Sequence, residues 1–174
     1  MRKAAVALAL LTFAVASGAC AATATAPTRA QYAAIADQVC ASSAEGLATE
    51  LQTYDAKNPL HTDADEQERF VRFVLIKQLR ATMAQLRSIA PPDGDGAYLG
   101  SMYTDYEHAL GVYYQDPLGD SAVPATDAAD GRLKHYGMKK CPTIVADARK
   151  KADKLEAEAK KAKPGTTTTT TPSL

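Results

Sequence analysis

Phe70-Val71-Arg72-Phe73-Val74-Leu75-Ile76-Lys77-Gln78-Leu79-Arg80-Ala81-Thr82-Met83-Ala84-Gln85-Leu86-Arg87-Ser88-Ile89 is the densest apolar stretch beyond the first twenty positions, and its period decides the fold class. Leu75 or Ile76, then Leu79, Met83 and Leu86 return at steps of three and four, the spacing of one helical face; the clean alternation of a strand occurs nowhere in the chain. Phe70, Val71, Phe73, Val74 and Ile89 complete the apolar set of this expected core helix. Arg69, Arg72, Lys77, Arg80 and Arg87 cover its other side and read as solvated surface. The helix should open at Thr62 or Asp63 as N-cap, with Asp65, Glu66 and Glu68 where the helix dipole favours negative charge, and close at Pro91-Pro92-Asp93-Gly94.

Upstream, Thr28-Arg29-Ala30-Gln31 is a capping box. Tyr32, Ile35, Val39, Ala44, Leu47, Leu51 and Tyr54 then recur at three to five residues, so a first helix should run to about Ala56 and stop before Asn58-Pro59. Downstream, Asp95 can cap a helix that turns Leu99, Met102, Tyr103, Tyr106, Leu110 and Tyr113 inward and ends near Gln115, ahead of the turn at Asp116-Pro117-Leu118-Gly119-Asp120. A shorter helix from Pro124 or Thr126 to Tyr136 buries Ala129, Leu133 and Tyr136, with Gly137 as its C-cap. Pro142 suits the first position of a last helix, whose stripe of Ile144, Val145, Ala148, Ala152 and Leu155 is thin. Beyond Lys150 the residues are good helix formers laced with charge pairs such as Glu156 to Lys160. The expectation is an all-α protein: an antiparallel four- to five-helix bundle over residues 28–149, a charged protruding helix over 150–163, and a disordered Thr-rich tail over 164–174. The tail region's excess of lysine suits either an anionic envelope polymer or lipid head groups, or simply a solvated spacer.

Three cysteines, Cys20, Cys40 and Cys141, divide by position. Arg2 and Lys3, the apolar run Ala4 to Ala16, and the small residues Ser17-Gly18-Ala19 form the three-part pattern of an export signal over residues 1–19. Cys20 directly follows, the context in which a bacterial signal is cut and a lipid is attached to the new N-terminal Cys. Residues 20–27, small and uncharged, read as a flexible tether. Ser17 stands where Leu or Val is commoner in lipid-attachment sites, so plain secretion with cleavage after Ala21 or a little later stands beside lipidation. Either route places the mature chain outside the cytoplasm, and no later segment approaches the roughly 20 apolar residues of a membrane-spanning helix. Cys40 and Cys141 then remain as a pair suited to a disulfide, since neither stands in a zinc-ligand spacing with His61, His108 or His135. In the chain-entropy model such a closure stabilises by about 4.7 kcal/mol, less any strain.

The 174 residues carry 20 basic and 20 acidic side chains, and removal of Arg2 and Lys3 leaves 18 against 20. That balance offers no argument for nucleic acid as a partner. Tyr98, Tyr103, Tyr106, Tyr113 and Tyr114 form a candidate ligand surface for a sugar, peptide or aromatic compound, although tyrosines at helical spacing are ordinarily core. Asp105 and His108, three apart, read as a surface pair rather than an acid and base. Asp93-Gly94-Asp95-Gly96 resembles a calcium-loop fragment, but Thr104 occupies the position of the bidentate acid, so no metal site is expected. Phosphate-binding glycine loops, paired-His zinc helices, nucleophile elbows and Cys-x-x-Cys-His are absent, and no cofactor or catalytic residue is assigned.

With Asp37-Gln38-Val39-Cys40-Ala41 in its first helix and Tyr136-Gly137-Met138-Lys139-Lys140-Cys141 near its last, the chain resembles small extracytoplasmic helical lipoproteins of actinobacteria that have no assigned activity. The likeness covers roughly residues 28–145. It implies a disulfide-stapled helical domain and transfers no catalytic residue. The expected role is therefore that of an exported, lipid-anchored envelope protein, a non-enzymatic binding or structural module whose partners are the membrane, through the lipid, and an envelope polymer or protein. The alternative is a periplasmic or extracellular small-molecule or metal binding protein.

Overall fold

The computed structural model describes residues 25–59, 63–120 and 122–162. The export segment, Cys20, most of the 20–27 tether, the Thr62 alternative for a cap and the 164–174 tail lie outside the described residues. Helix α1 spans Arg29–Lys57, opened by the Thr28–Gln31 capping box with both of its hydrogen bonds formed. Helix α2 (Ala64–Phe70), a π-helical turn (Val71–Leu75) and α3 (Ile76–Arg87) form one rod, capped by the Asp63 carboxylate on the Glu66 N–H. Helices α4 (Gly96–Gln115) and α5 (Ala122–Tyr136) follow, and a 3₁₀ turn at Cys141–Thr143 leads into α6 (Ile144–Ala162). Five rods thus pack together, with no strand among the described residues.

Successive rods run antiparallel. Tyr32 meets Leu86 and Ser43 meets Thr82 between α1 and α3; Arg80 meets Glu107 and Arg72 meets Tyr114 between α3 and α4; Tyr98 meets Tyr136 between α4 and α5. An odd number of rods returns α6 beside α1 in the same direction, so that Cys40 lies by Cys141 and Glu45 by Lys151. That pair is parallel, the one departure from the antiparallel arrangement. Its interface is built of small side chains: Ala36, Cys40, Ala44 and Ala48 on α1, with Ala148 and Ala152 on α6, are all buried. Short side chains let helix axes approach closely, which brings the two cysteine Cα atoms to 4.9 Å.

Burial on two flanks also moves the inward arc of α1. Ala33, Ala36, Cys40, Ser43, Ala44, Leu47 and Ala48 face in, whereas Ile35, expected in the stripe, is 41% exposed. In the second rod, continuing α-helical steps back from Leu79 and Ile76 would turn Arg72 and Glu68 inward. The π turn prevents this: the Ile76 N–H donates to the Val71 carbonyl five residues back, and the extra residue brings Val71 and Phe70 against the core. Phe73, expected inside, is left 60% exposed.

The last helix does not leave the bundle at residue 150. Ala152 is buried and Leu155 half-buried, Arg149 pairs with Asp55, and only residues 156–161 are exposed without a break. Val145, expected in its stripe, is exposed because Ile144, Ala148 and Ala152 form the contact line. The Cys40–Cys141 bond is present, with both residues buried. Cys40→Ala should lower unfolding free energy by about 4 kcal/mol in urea and expose the Cys141 thiol; an unchanged midpoint would show that the staple adds nothing. Deleting residues 156–174 should lower the same unfolding free energy by less than about 1 kcal/mol, and a larger fall would show that the end of α6 supports the core.

Candidate functional site

The polar and aromatic side chains that the fold gathers most closely lie at the pole where α1 begins. Arg29 donates from Nε and Nη2 to the two Asp95 carboxylate oxygens, each at 3.0 Å, and the Tyr136 hydroxyl donates to the same carboxylate at 2.7 Å. These bonds, Arg29 first and Tyr136 second, hold the Asp95 carboxyl below the usual carboxylate range. Asp95, expected to cap α4, holds its N-cap position, but its side chain makes no capping bond; its oxygens accept from donors on α1 and α5 instead. Around it the rings close up. The Arg29 guanidinium lies 4.8 Å from the centre of the Tyr136 ring, Tyr98 stacks on Tyr136 at 5.7 Å, and Arg132 lies 5.5 Å from Tyr98. Beneath them Tyr32 meets Tyr136 edge-on, donates to the Leu86 carbonyl at 3.2 Å, and shares a 2.8 Å bond with the Tyr103 hydroxyl.

The tyrosines of α4 therefore do not form one ligand surface. Tyr103 and Tyr106 are buried and Tyr113 is half-buried, with burial raising the pKa of all three. Tyr98 and Tyr114 reach solvent, but sixteen residues of helix set them about 24 Å apart. Each is also engaged by arginine: Tyr98 by Arg132, and Tyr114 by Arg72 and Arg80 at 5.9 and 5.6 Å. Asp105 pairs with Arg132, not with His108. No group of three His, Cys, Asp or Glu suited to a metal ion occurs among the described residues.

The segment 136–141 is held by a helix cap, a carboxylate of α1 and the disulfide. Gly137, at φ 108°, ends α5 in a Schellman motif, with its N–H donating to Lys134 and the Met138 N–H to Leu133. Met138 is buried. Asp37 of α1 then accepts from the backbone N–H groups of Lys139 at 2.8 Å and Lys140 at 2.7 Å, satisfying donors that the opening of the next helix leaves without partners. Cys141 completes the clip through its disulfide. Sequence reading found Gly137 and Cys141 but missed Asp37, whose partners lie 102 and 103 positions away.

No protein-family model, curated protein or solved structure matches this chain. Its chemistry must be judged from its own groups. Arg29, Asp37, Asp95 and Tyr136 are consumed in joining helices. A shallow hollow of about 560 Å³ adjoins them, lined by alanines of α1 with Arg29, Tyr136 and Lys139.

One acid stands out. Asp130 is half-buried on α5, the Tyr106 hydroxyl hydrogen-bonds its carboxylate, and its buried Oδ1 has no hydrogen-bond partner. Burial pushes its carboxyl up to about 6, with Lys134 opposing and Asp127 reinforcing the shift. A raised folded-state value means that the protonated form fits the fold better. The contribution of this group to stability is thus intact below about pH 3.9 and is lost as pH rises through about 6. Asp130→Asn should therefore gain about 1–2 kcal/mol at pH 7.5, after discounting for solvent screening, and nothing at pH 4. Urea midpoints at the two pH values decide it, and a variant less stable at pH 7.5 would reverse the assignment.

Proposed function

We propose that this chain is an exported cell-envelope protein, anchored by lipid on Cys20, whose stapled bundle acts as a non-enzymatic binding or structural module. The observation that carries the reading is the buried Cys40–Cys141 bond, since disulfides form and persist chiefly in oxidising compartments outside the cytoplasm. Pairing those two leaves Cys20 as the odd cysteine, directly after Ser17-Gly18-Ala19. The non-enzymatic half is supported by how the polar groups are used: Asp37, Asp95, Arg29 and Tyr136 each satisfy another element of the fold. No helix among the described residues is long and apolar enough to cross a membrane.

Under this reading the tether enters at the start of α1, and the far pole of the bundle stands about 43 Å away along that 29-residue helix. Mass spectrometry of protein from the membrane fraction should find a chain that begins at Cys20 and bears diacylglycerol, and Cys20→Ser should release it from membranes. An unmodified N-terminus at Ala22 or beyond would replace the anchor by plain secretion.

A further inference from the structure

Four ammonium groups crowd one hollow on the outer side of the α1–α6 pair. Lys140, Lys150, Lys151 and Lys154 line a cavity of about 410 Å³ over Ala41 and Ala44, and only Glu45 and Asp147 oppose them there. Both carboxylates are already engaged. Glu45 pairs with Lys151, which holds its carboxyl below the usual range, while Asp147 accepts from the Thr143 hydroxyl at 3.0 Å and stands 3.4 Å from Lys140. Lys154 has only Glu158, at 3.8 Å, and Lys150 has no ion-pair partner among the described residues. With Glu158 counted as the partner of Lys154, four ammoniums meet three carboxylates, and Lys150 is the cation that leaves the hollow positive. On the outward side of α6, Lys150 and Lys154 are a turn apart and the exposed Lys161 lies two turns further, so three lysines follow one line of about 17 Å, with Glu158, the partner of Lys154, interposed before Lys161.

We propose that this hollow and the line below it bind a linear phosphodiester polymer, lying along α6 with successive phosphates on successive lysines. Three features favour that partner. The charges are serial and follow a helix axis over an alanine floor, which admits a single chain where a bilayer surface would need a broad flat patch. The exposed cations are lysines, point charges that accept phosphates at many orientations, whereas Arg149, a planar fork nearby, is occupied by Asp55 and Asp153. The walls are also fixed, because Lys140 adjoins the disulfide that ties α6 to α1. The inference deepens the binding-module reading and rests on it for where the polymer is met, not for the contact itself.

The test uses the full mature chain made with Cys20→Ser, so that no lipid is present and a failure of the anchor leaves the measurement untouched. It is titrated with poly(glycerol phosphate) over a range of salt, beside Lys150→Gln/Lys154→Gln and a control, Lys77→Gln/Lys134→Gln, which removes two exposed lysines elsewhere; melting curves verify that all are folded. The unmutated surface should bind in a salt-dependent manner. The hollow variant should bind about tenfold more weakly at low salt, with its slope of log affinity against log salt reduced by about 1.4, while the control stays within about twofold. Should the double variant melt early, Lys150→Gln alone should show about half that change in slope. No binding by the unmutated surface, equal losses in the two double variants, or binding only to phosphatidylglycerol vesicles and not to the polymer would each overturn the proposal.

Discussion

The Cα atoms of Cys40 and Cys141 stand 4.9 Å apart, and most of the architecture follows from allowing that approach. Helices meet this closely only where their side chains are short, which is why α1 meets α6 through alanines rather than through leucines. Larger apolar residues sit on the other contacts: Leu47, Ile76, Leu79, Met83 and Leu86 between α1 and α3, and Leu99, Met102, Leu110 and Leu133 around α4 and α5. An alanine interface buries little area per residue, so it gains less from the hydrophobic effect than the rest of the core. The covalent bond stands at that interface.

Polar groups perform the complementary task at the pole where α1 begins. Asp95, at the start of α4, is grasped by Arg29 from α1 and by Tyr136 from the end of α5, so three rods are fixed by one carboxylate. Asp37 does the same for the turn into α6, accepting backbone donors that would otherwise face solvent or lack a partner. Deeper in the bundle, Ser43 and Thr82 satisfy one another at 2.6 Å, and Tyr32 meets Tyr103, so these buried hydroxyls carry no unmet bond. Asp130, with its orphaned oxygen, is the contrasting case.

Local signals were legible in the sequence, and signals set by neighbours were not. The Thr28–Gln31 box, the Asp63 cap and the Gly137 terminus are each completed within a few residues, so the pattern alone reveals them. Ile35, Phe73 and Val145 were assigned inward because they are apolar at nearly the right spacing; which arc of a helix is buried depends on how many rods flank it, and alanines, weak in any hydrophobic count, define that arc here. The π turn is invisible for a similar reason, since it exists to correct the phase between two halves of one rod. The candidate site was less legible still. Asp95 looks like a cap in its own context, and its true partners lie 66 and 41 positions away. The α4 tyrosines showed a helical period, but only the packing tells that Tyr103 and Tyr106 face the core while Tyr98 and Tyr114 lie under arginines at opposite ends.

The parallel course of α1 and α6 has a mechanical side. A pull applied at the start of α1 and the end of α6 would travel along α1 to Cys40, cross the disulfide, and leave along α6, so that the 101-position loop between the cysteines carries none of the load. With the bond intact, stretching the molecule can only shear the two helices that the bond rivets together. With it reduced, the same pull could draw out roughly 330–360 Å of additional chain. Redox state thus sets whether this bundle behaves under tension as a short stiff strut or as a long extensible leash.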